Sequence, residues 1–212
     1  MVGKRKKLEF LIEYFQRTMP QPQSELQFGS PFQLLVAVML SAQCTDKRVN
    51  MVTPRLFNAF PTAECMAQAS VDDVFELIKS VSYPNSKAAH LVETSKRLVA
   101  DFQGEVPSTM EELTSLPGVG RKTANVVMAV LWKKPAFAVD THIFRVARRL
   151  GLASEKCTTP LAVETELTKL FPPELIPDAH HWLLLHGRYV CKSRTPLCEK
   201  CELKSVCNFV KG

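Results

Sequence analysis

Apolar side chains recur along this chain with the period of a helix. Leu8, Leu11, Ile12 and Phe15 fall at i, i+3, i+4 and i+7, one face of an amphipathic helix. Ser30-Pro31 supplies an N-cap and a first helical residue, and Leu34 to Leu40 follow as seven consecutive apolar residues. A run of that length between helix signals predicts a helix buried on all sides. Val49, Val52, Leu56, Phe57 and Phe60 predict another, which Pro54 should bend or shorten. Ser70-Val71-Asp72-Asp73 and Ser86 read as helix starts, and Ser108-Thr109-Met110-Glu111 has capping-box spacing. Helical spacing continues through 121–132, 143–150, 161–170 and 175–185. No alternating strand pair, hairpin dipeptide or 20–50-residue repeat interrupts it, so the fold class is all-α. Breaks at Pro20-Gln21-Pro22-Gln23-Ser24 and Lys133-Lys134-Pro135 divide the chain into a middle domain, 24–134, and a second domain built from 1–23 and 135–212.

Composition narrows the class. The chain has 212 residues, 46% apolar and 23% charged, which excludes a disordered chain, a collagen and a coiled-coil rod. No apolar run approaches the roughly 18–20 residues of a membrane span. The basic N-terminus is followed by an amphipathic helix instead of the apolar core and cleavage site of a secretory signal. The expectation is a soluble intracellular monomer, in the cytoplasm or nucleoid if bacterial, with no membrane partner. Lys and Arg number 27 against 21 Asp and Glu. The excess sits at both ends: four basic and no acidic side chains in 1–7, and six basic against two acidic in 186–212. A basic surface suits a polyanion.

Seven cysteines are present, of which Cys44, Cys65 and Cys157 are scattered and read as small buried hydrophobes. Cys191, Cys198, Cys201 and Cys207 lie within 17 residues, spaced C-x6-C-x2-C-x5-C. Without a secretion signal, disulfides are disfavoured, and four thiolates in one short loop suit one metal site. Spacing alone leaves tetrahedral zinc and an iron–sulfur cluster open. Either would hold the loop folded and make rigid the cations Lys192, Arg194, Lys200 and Lys204 between the ligands.

A second constellation is Leu116-Pro117-Gly118-Val119-Gly120-Arg121-Lys122-Thr123-Ala124-Asn125. Pro117 with Gly118 and Gly120 predicts a tight turn that opens a helix, whose first amides would face an anion. A plain helix–helix corner explains the same residues. A P-loop is excluded, since Arg121 separates Gly120 from Lys122 and a helix precedes. Lys122 falls in the first turn, where the positive dipole end and poor solvation would favour the neutral, nucleophilic amine. Eighteen residues on, in Val139-Asp140-Thr141-His142, Asp140 reads as an N-cap and as a carboxylate able to steady developing positive charge. His142 reads as structural.

Together these segments resemble the endonuclease III family of helix-hairpin-helix DNA glycosylases. Ser30-Pro31-Phe32, Leu40-Ser41-Ala42-Gln43 with Thr45-Asp46, and His186-Gly187-Arg188 also match, so the resemblance runs from about residue 20 to residue 207. It implies two helical domains with duplex DNA across the cleft, and a [4Fe–4S] cluster on the four cysteines. It implies that Lys122 attacks C1′ of the damaged nucleotide with Asp140 assisting; Gly118, Val119, Gly120 and Arg121 of the turn and Arg194 and Lys200 of the cysteine loop are the candidate DNA contacts. Substrates would be oxidised or ring-saturated pyrimidines and abasic sites. Extruding a nucleotide leaves a gap that side chains fill. Gln43 is one filler by resemblance, and Tyr83, from Val81-Ser82-Tyr83-Pro84-Asn85-Ser86-Lys87, is the candidate wedge. That loop departs from the family, which carries a glycine before a leucine or aromatic residue.

Adenine-mismatch relatives need a catalytic glutamate where this chain has Ala37, and thymine-mismatch relatives replace the lysine. A non-catalytic DNA-binding or zinc-stabilised module would leave Lys122 and Asp140 as coincidence.

Overall fold

The computed structural model describes residues 4–211. Among them are twelve α-helices and no strand: α1 (Lys4–Thr18), α2 (Pro31–Ser41), α3 (Asp46–Ala59), α4 (Ala63–Ala67), α5 (Val71–Ile78), α6 (Pro84–Phe102), α7 (Met110–Ser115), α8 (Arg121–Trp132), α9 (Thr141–Leu150), α10 (Pro160–Leu170), α11 (Ile176–Tyr189) and α12 (Asn208–Lys211). The chain divides into two compact units, residues 24–132 and residues 1–23 with 133–212.

The 24–132 unit is built on α2. Ser30 caps it by accepting from the Gln33 amide, Pro31 sits in its first turn, and every residue from Leu34 to Leu40 is buried. Helices α3, α6 and α8 pack on it. Burying each leucine there contributes about 1.5–3 kcal/mol. Helix α3 runs through Pro54 instead of stopping, because buried Val49, Val52, Thr53 and Leu56 anchor it on both sides of the proline. Two starts differ from the sequence pattern. Helix α6 begins at Pro84, and the Ser86 hydroxyl donates to the Tyr83 carbonyl at 3.2 Å. The capping box lies one residue later than its spacing suggests: Thr109 accepts from the Glu112 amide at 3.2 Å, and its hydroxyl donates to the Glu112 carboxylate at 2.6 Å.

The other unit buries α1 against α9 and α11 residues, with Leu8, Leu11 and Phe15 in one core with Ile143, Val146 and Trp182. The Phe15 ring stacks on Trp182 at 5.6 Å, and the Trp182 indole donates to the Met19 carbonyl at 2.9 Å. One of the N-terminal cations is consumed by this packing. Lys7 is buried, its ammonium donating to the Leu150 carbonyl and Asn208 Oδ1, each at 2.7 Å. Lys4 pairs with Glu166 and Arg5 with Glu9. Of the four N-terminal cations, Lys7 is therefore structural, while Lys4, Arg5 and Lys6 remain exposed. Cys157 is buried as expected, but Cys44 is half-buried and Cys65 exposed.

Candidate functional site

In the 24–132 unit, residues 116–120 form a tight turn between α7 and α8. Leu116 and Val119 are buried and pull the turn onto the core, leaving Gly118 and Gly120 outside. The Val119 amide donates to the Leu116 carbonyl at 3.1 Å. Helix α6 braces the turn: the Thr94 hydroxyl donates to the Pro117 carbonyl at 2.6 Å and Arg97 to the Ser115 carbonyl at 2.7 Å. Gly118 has φ +75°, and a Cβ there would lie 2.7 Å from His90 Nδ1. At Gly120 a Cβ would meet nothing within 4 Å, so no neighbour in the chain requires glycine there. Because Val119 points inward, only its backbone can meet a ligand.

The first α8 bond runs from the Ala124 amide to the Gly120 carbonyl at 3.0 Å, so the Lys122 and Thr123 amides belong to the open end of the helix. Lys122 is exposed, and the poor solvation expected of it is absent. Arg121 is exposed beside it.

A cavity of about 190 Å³ in the same unit is lined by Met39, Gln43, Tyr83, Lys87, His90 and Gly118, among others. It brings together three sequence-predicted residues that lie far apart along the chain. Gln43 and Tyr83 both have left-handed backbone, φ 53° and 56°, and Tyr83 is 64% exposed. Lys87 is a residue that pattern reading passed over. It is buried, and its ammonium donates to the carbonyls of Leu40 and Ala42, each at 2.7 Å. Burial lowers its pKa, with Cys44 acting in the opposite direction. Ala37, where an adenine-mismatch relative needs an acid, is wholly buried in α2.

In the other unit, Asp140 caps α9. Its Oδ1 accepts from the His142 amide at 2.9 Å and the Ile143 amide at 2.8 Å, so the cap uses one carboxylate oxygen. His142 Nδ1 lies 3.3 Å from Arg145 Nη2, and its Cβ is 2.8 Å from where a Gly187 Cβ would be. This close approach is why His186-Gly187-Arg188 carries a glycine.

The four cysteines line one cavity with Leu150, His186 and Leu197. Burial pushes the Cys201 thiol up; the Leu203 backbone opposes this, and the charges of Cys207, Cys191 and Cys198 reinforce it. Two arginines that the cysteine spacing does not reveal hold the loop. Arg145 donates to the Cys191 carbonyl at 3.0 Å and the Gly187 carbonyl at 2.8 Å. Arg149 donates to the Lys192 and Ser193 carbonyls at 2.8 and 2.9 Å. His186 Nε2 lies 3.8 Å from Cys201 Sγ, and burial lowers its pKa to about 4. Of the loop cations, Lys192, Arg194 and Lys200 are exposed, whereas Lys204 is held by the Glu199 carboxylate at 2.8 Å. Among the described residues, no helix is long and apolar enough to cross a membrane.

A family model described as the HhH-GPD superfamily of base excision DNA repair proteins matches residues 36–173. Curated relatives named endonuclease III include that of Rickettsia felis, 46% identical over 199 residues covering 94% of this chain and 92% of the relative. That of Escherichia coli K12 is 44% identical over 208 residues, covering 98% and 97%. The chain belongs to the endonuclease III family. Among solved structures, a trapped endonuclease III–DNA covalent intermediate superposes with a TM-score of 0.92 at 39% identity, covering 100% of this chain and 98% of that one. A thermostable thymine-DNA glycosylase superposes with a TM-score of 0.87 at 25% identity, covering 98% and 97%. Membership of the endonuclease III family makes this a base-excision DNA repair protein, and its all-helical architecture agrees with that family.

Proposed function

We propose that the chain is a bifunctional DNA glycosylase and abasic-site lyase that acts on duplex DNA and excises oxidised or ring-saturated pyrimidines. The observation that carries this reading is the exposed Lys122 on the first turn of α8, directly after a braced glycine turn that leaves open space over Gly120. That space and the amides of the helix end suit a phosphate of the DNA backbone. The target nucleotide is extruded from the stack, since C1′ is out of reach inside the duplex. Lys122 Nζ then bonds to C1′ as the C1′–N bond breaks, and the base leaves with the electron pair and takes up a proton. The lone pair of Nζ then forms the C=N bond as the C1′–O4′ bond breaks, the nitrogen gives up its proton and O4′ takes one up, which leaves the imine. Loss of a C2′ proton expels the 3′ phosphate with the C3′–O electron pair, which cuts the strand. Asp140 is the assisting carboxylate, with Oδ2 left over by its cap. Gln43 and Tyr83 fill the gap in the stack. The backbone of Gly118 to Gly120, Arg121, Arg194 and Lys200 meets phosphates.

The four cysteines are proposed to hold a [4Fe–4S] cluster, and the donor set fits it. Four thiols share one cavity. Four cysteine thiolates are the donor set that an iron–sulfur cluster of this kind takes. When bound, the cluster would cross-link the loop and hold Arg194 and Lys200 in place.

Borohydride trapping on duplex DNA with one thymine glycol tests the catalytic reading. A covalent adduct in the wild type and none with Lys122→Ala is the expected result. Absence of any adduct, on this duplex and on an abasic control, would sink it. An absorbance band near roughly 400 nm and matched iron and sulfide content test the cluster.

A further inference from the structure

The turn that carries Gln43 and the turn that carries Tyr83 are tied together by hydrogen bonds that no regular element supplies. At the end of α2, the carbonyls of Leu40 and Ala42 accept from the buried Lys87 ammonium, each at 2.7 Å. The next carbonyl, that of Gln43 itself, accepts from the Ser82 hydroxyl at 2.7 Å. The donors flank Tyr83, whose own carbonyl accepts from the Lys87 amide at 3.2 Å. Both Gln43 and Tyr83 hold left-handed backbone without being glycine. Such a conformation is disfavoured for a residue with a Cβ and persists only where the surroundings fix it. A cation on the last carbonyls of a helix is favoured by the helix dipole, and burial places that cation in one geometry.

We propose that Ser82 and Lys87 are positioning residues that lock the Gln43 and Tyr83 turns together, so that the two side chains enter the DNA stack as one unit. This rests on the gap-filling role proposed for Gln43 and Tyr83. It differs from a general stabilising role because it couples Ser82 and Lys87 to two particular side chains, Gln43 and Tyr83.

Duplex DNA with 2-aminopurine opposite a reduced abasic site reports insertion without chemistry. Binding of the wild-type protein raises the fluorescence, since a side chain entering the stack parts the reporter from its neighbours. Ser82→Ala and Lys87→Met are each expected to cut that rise. Each should also slow thymine glycol excision on the order of 10-fold, with binding to undamaged duplex unchanged. Lys87→Arg restores both. In a Gln43→Ala/Tyr83→Ala background the same substitutions add nothing to the loss of excision rate, because both residues they position are gone. A full fluorescence rise in both variants, or a loss that multiplies on top of Gln43→Ala/Tyr83→Ala, overturns the proposal. If Lys87→Met fails to fold by thermal unfolding, Ser82→Ala carries the test alone. If the wild type forms no lysine adduct while the fluorescence responds as stated, the chemistry assigned to Lys122 fails and the positioning role stands.

Discussion

Arg149 Nη1 lies 3.6 Å from Cys191 Sγ, and the same guanidinium donates to the two carbonyls that follow that cysteine. One α9 side chain thus fixes the start of the four-cysteine loop, and its plane covers Phe209 just beyond the last cysteine, 4.2 Å from the ring centroid. Arg149→Met keeps the stem and removes the donors. It should cost on the order of 2 kcal/mol, the worth of charge-assisted hydrogen bonds. It should also lower the iron content and the absorbance near roughly 400 nm of purified protein. Thermal unfolding and iron analysis check this; a variant with wild-type iron and stability would refute it.

The two glycines of the turn should behave oppositely. Gly118→Ala puts a Cβ 2.7 Å from the His90 ring at a φ of +75°, and should destabilise by about 1–3 kcal/mol. Gly120→Ala meets open space and should leave stability within about 0.5 kcal/mol. It should still weaken binding to duplex DNA, because the added methyl stands where the proposed interface puts the phosphate backbone. Melting temperature and dissociation constant, measured on both variants, separate the two effects.

Arg194 and Lys200 are exposed on the loop, whereas Lys204 is held by Glu199. Arg194→Ala and Lys200→Ala should each reduce the slope of log K against log salt by about 1. Lys204→Ala should reduce it less. Titration of duplex DNA at several salt concentrations decides; equal, unchanged slopes in all three would remove the loop from the interface.

His181 gives stability a pH dependence. Burial holds its imidazole below the ordinary value of 6.5, helped by Lys133 and opposed by the Pro177 carbonyl and Asp178. The folded form keeps it neutral, while the unfolded chain binds a proton once pH falls below about 6.5. The contribution is therefore complete above that value and lost progressively below it. The melting temperature should fall between about pH 7.5 and about pH 5.5, and His181→Gln should narrow the fall.

Local rules set most of the helices. Ser30-Pro31 starts α2, Asp140 starts α9, and the unbroken apolar run from Leu34 to Leu40 is the buried centre its pattern implies. These are legible because a cap or a period involves residues a few positions apart. The glycine turn before α8 and the meeting of four cysteines in one cavity are legible for a similar reason, since each depends on close spacing. Other features depend on contacts between distant residues. Lys7 counts as a surface cation by composition, yet it is buried against Leu150 and Asn208. Lys87 sits in a loop pattern, yet it closes the end of α2. Tyr83 and Gln43 share a cavity only because α6 and α2 pack together. Spacing and caps along the chain determined the helices and the reactive groups. Tertiary packing alone decided which cations remain free for a ligand, because whether a charge is buried depends on neighbours that the local sequence does not contain.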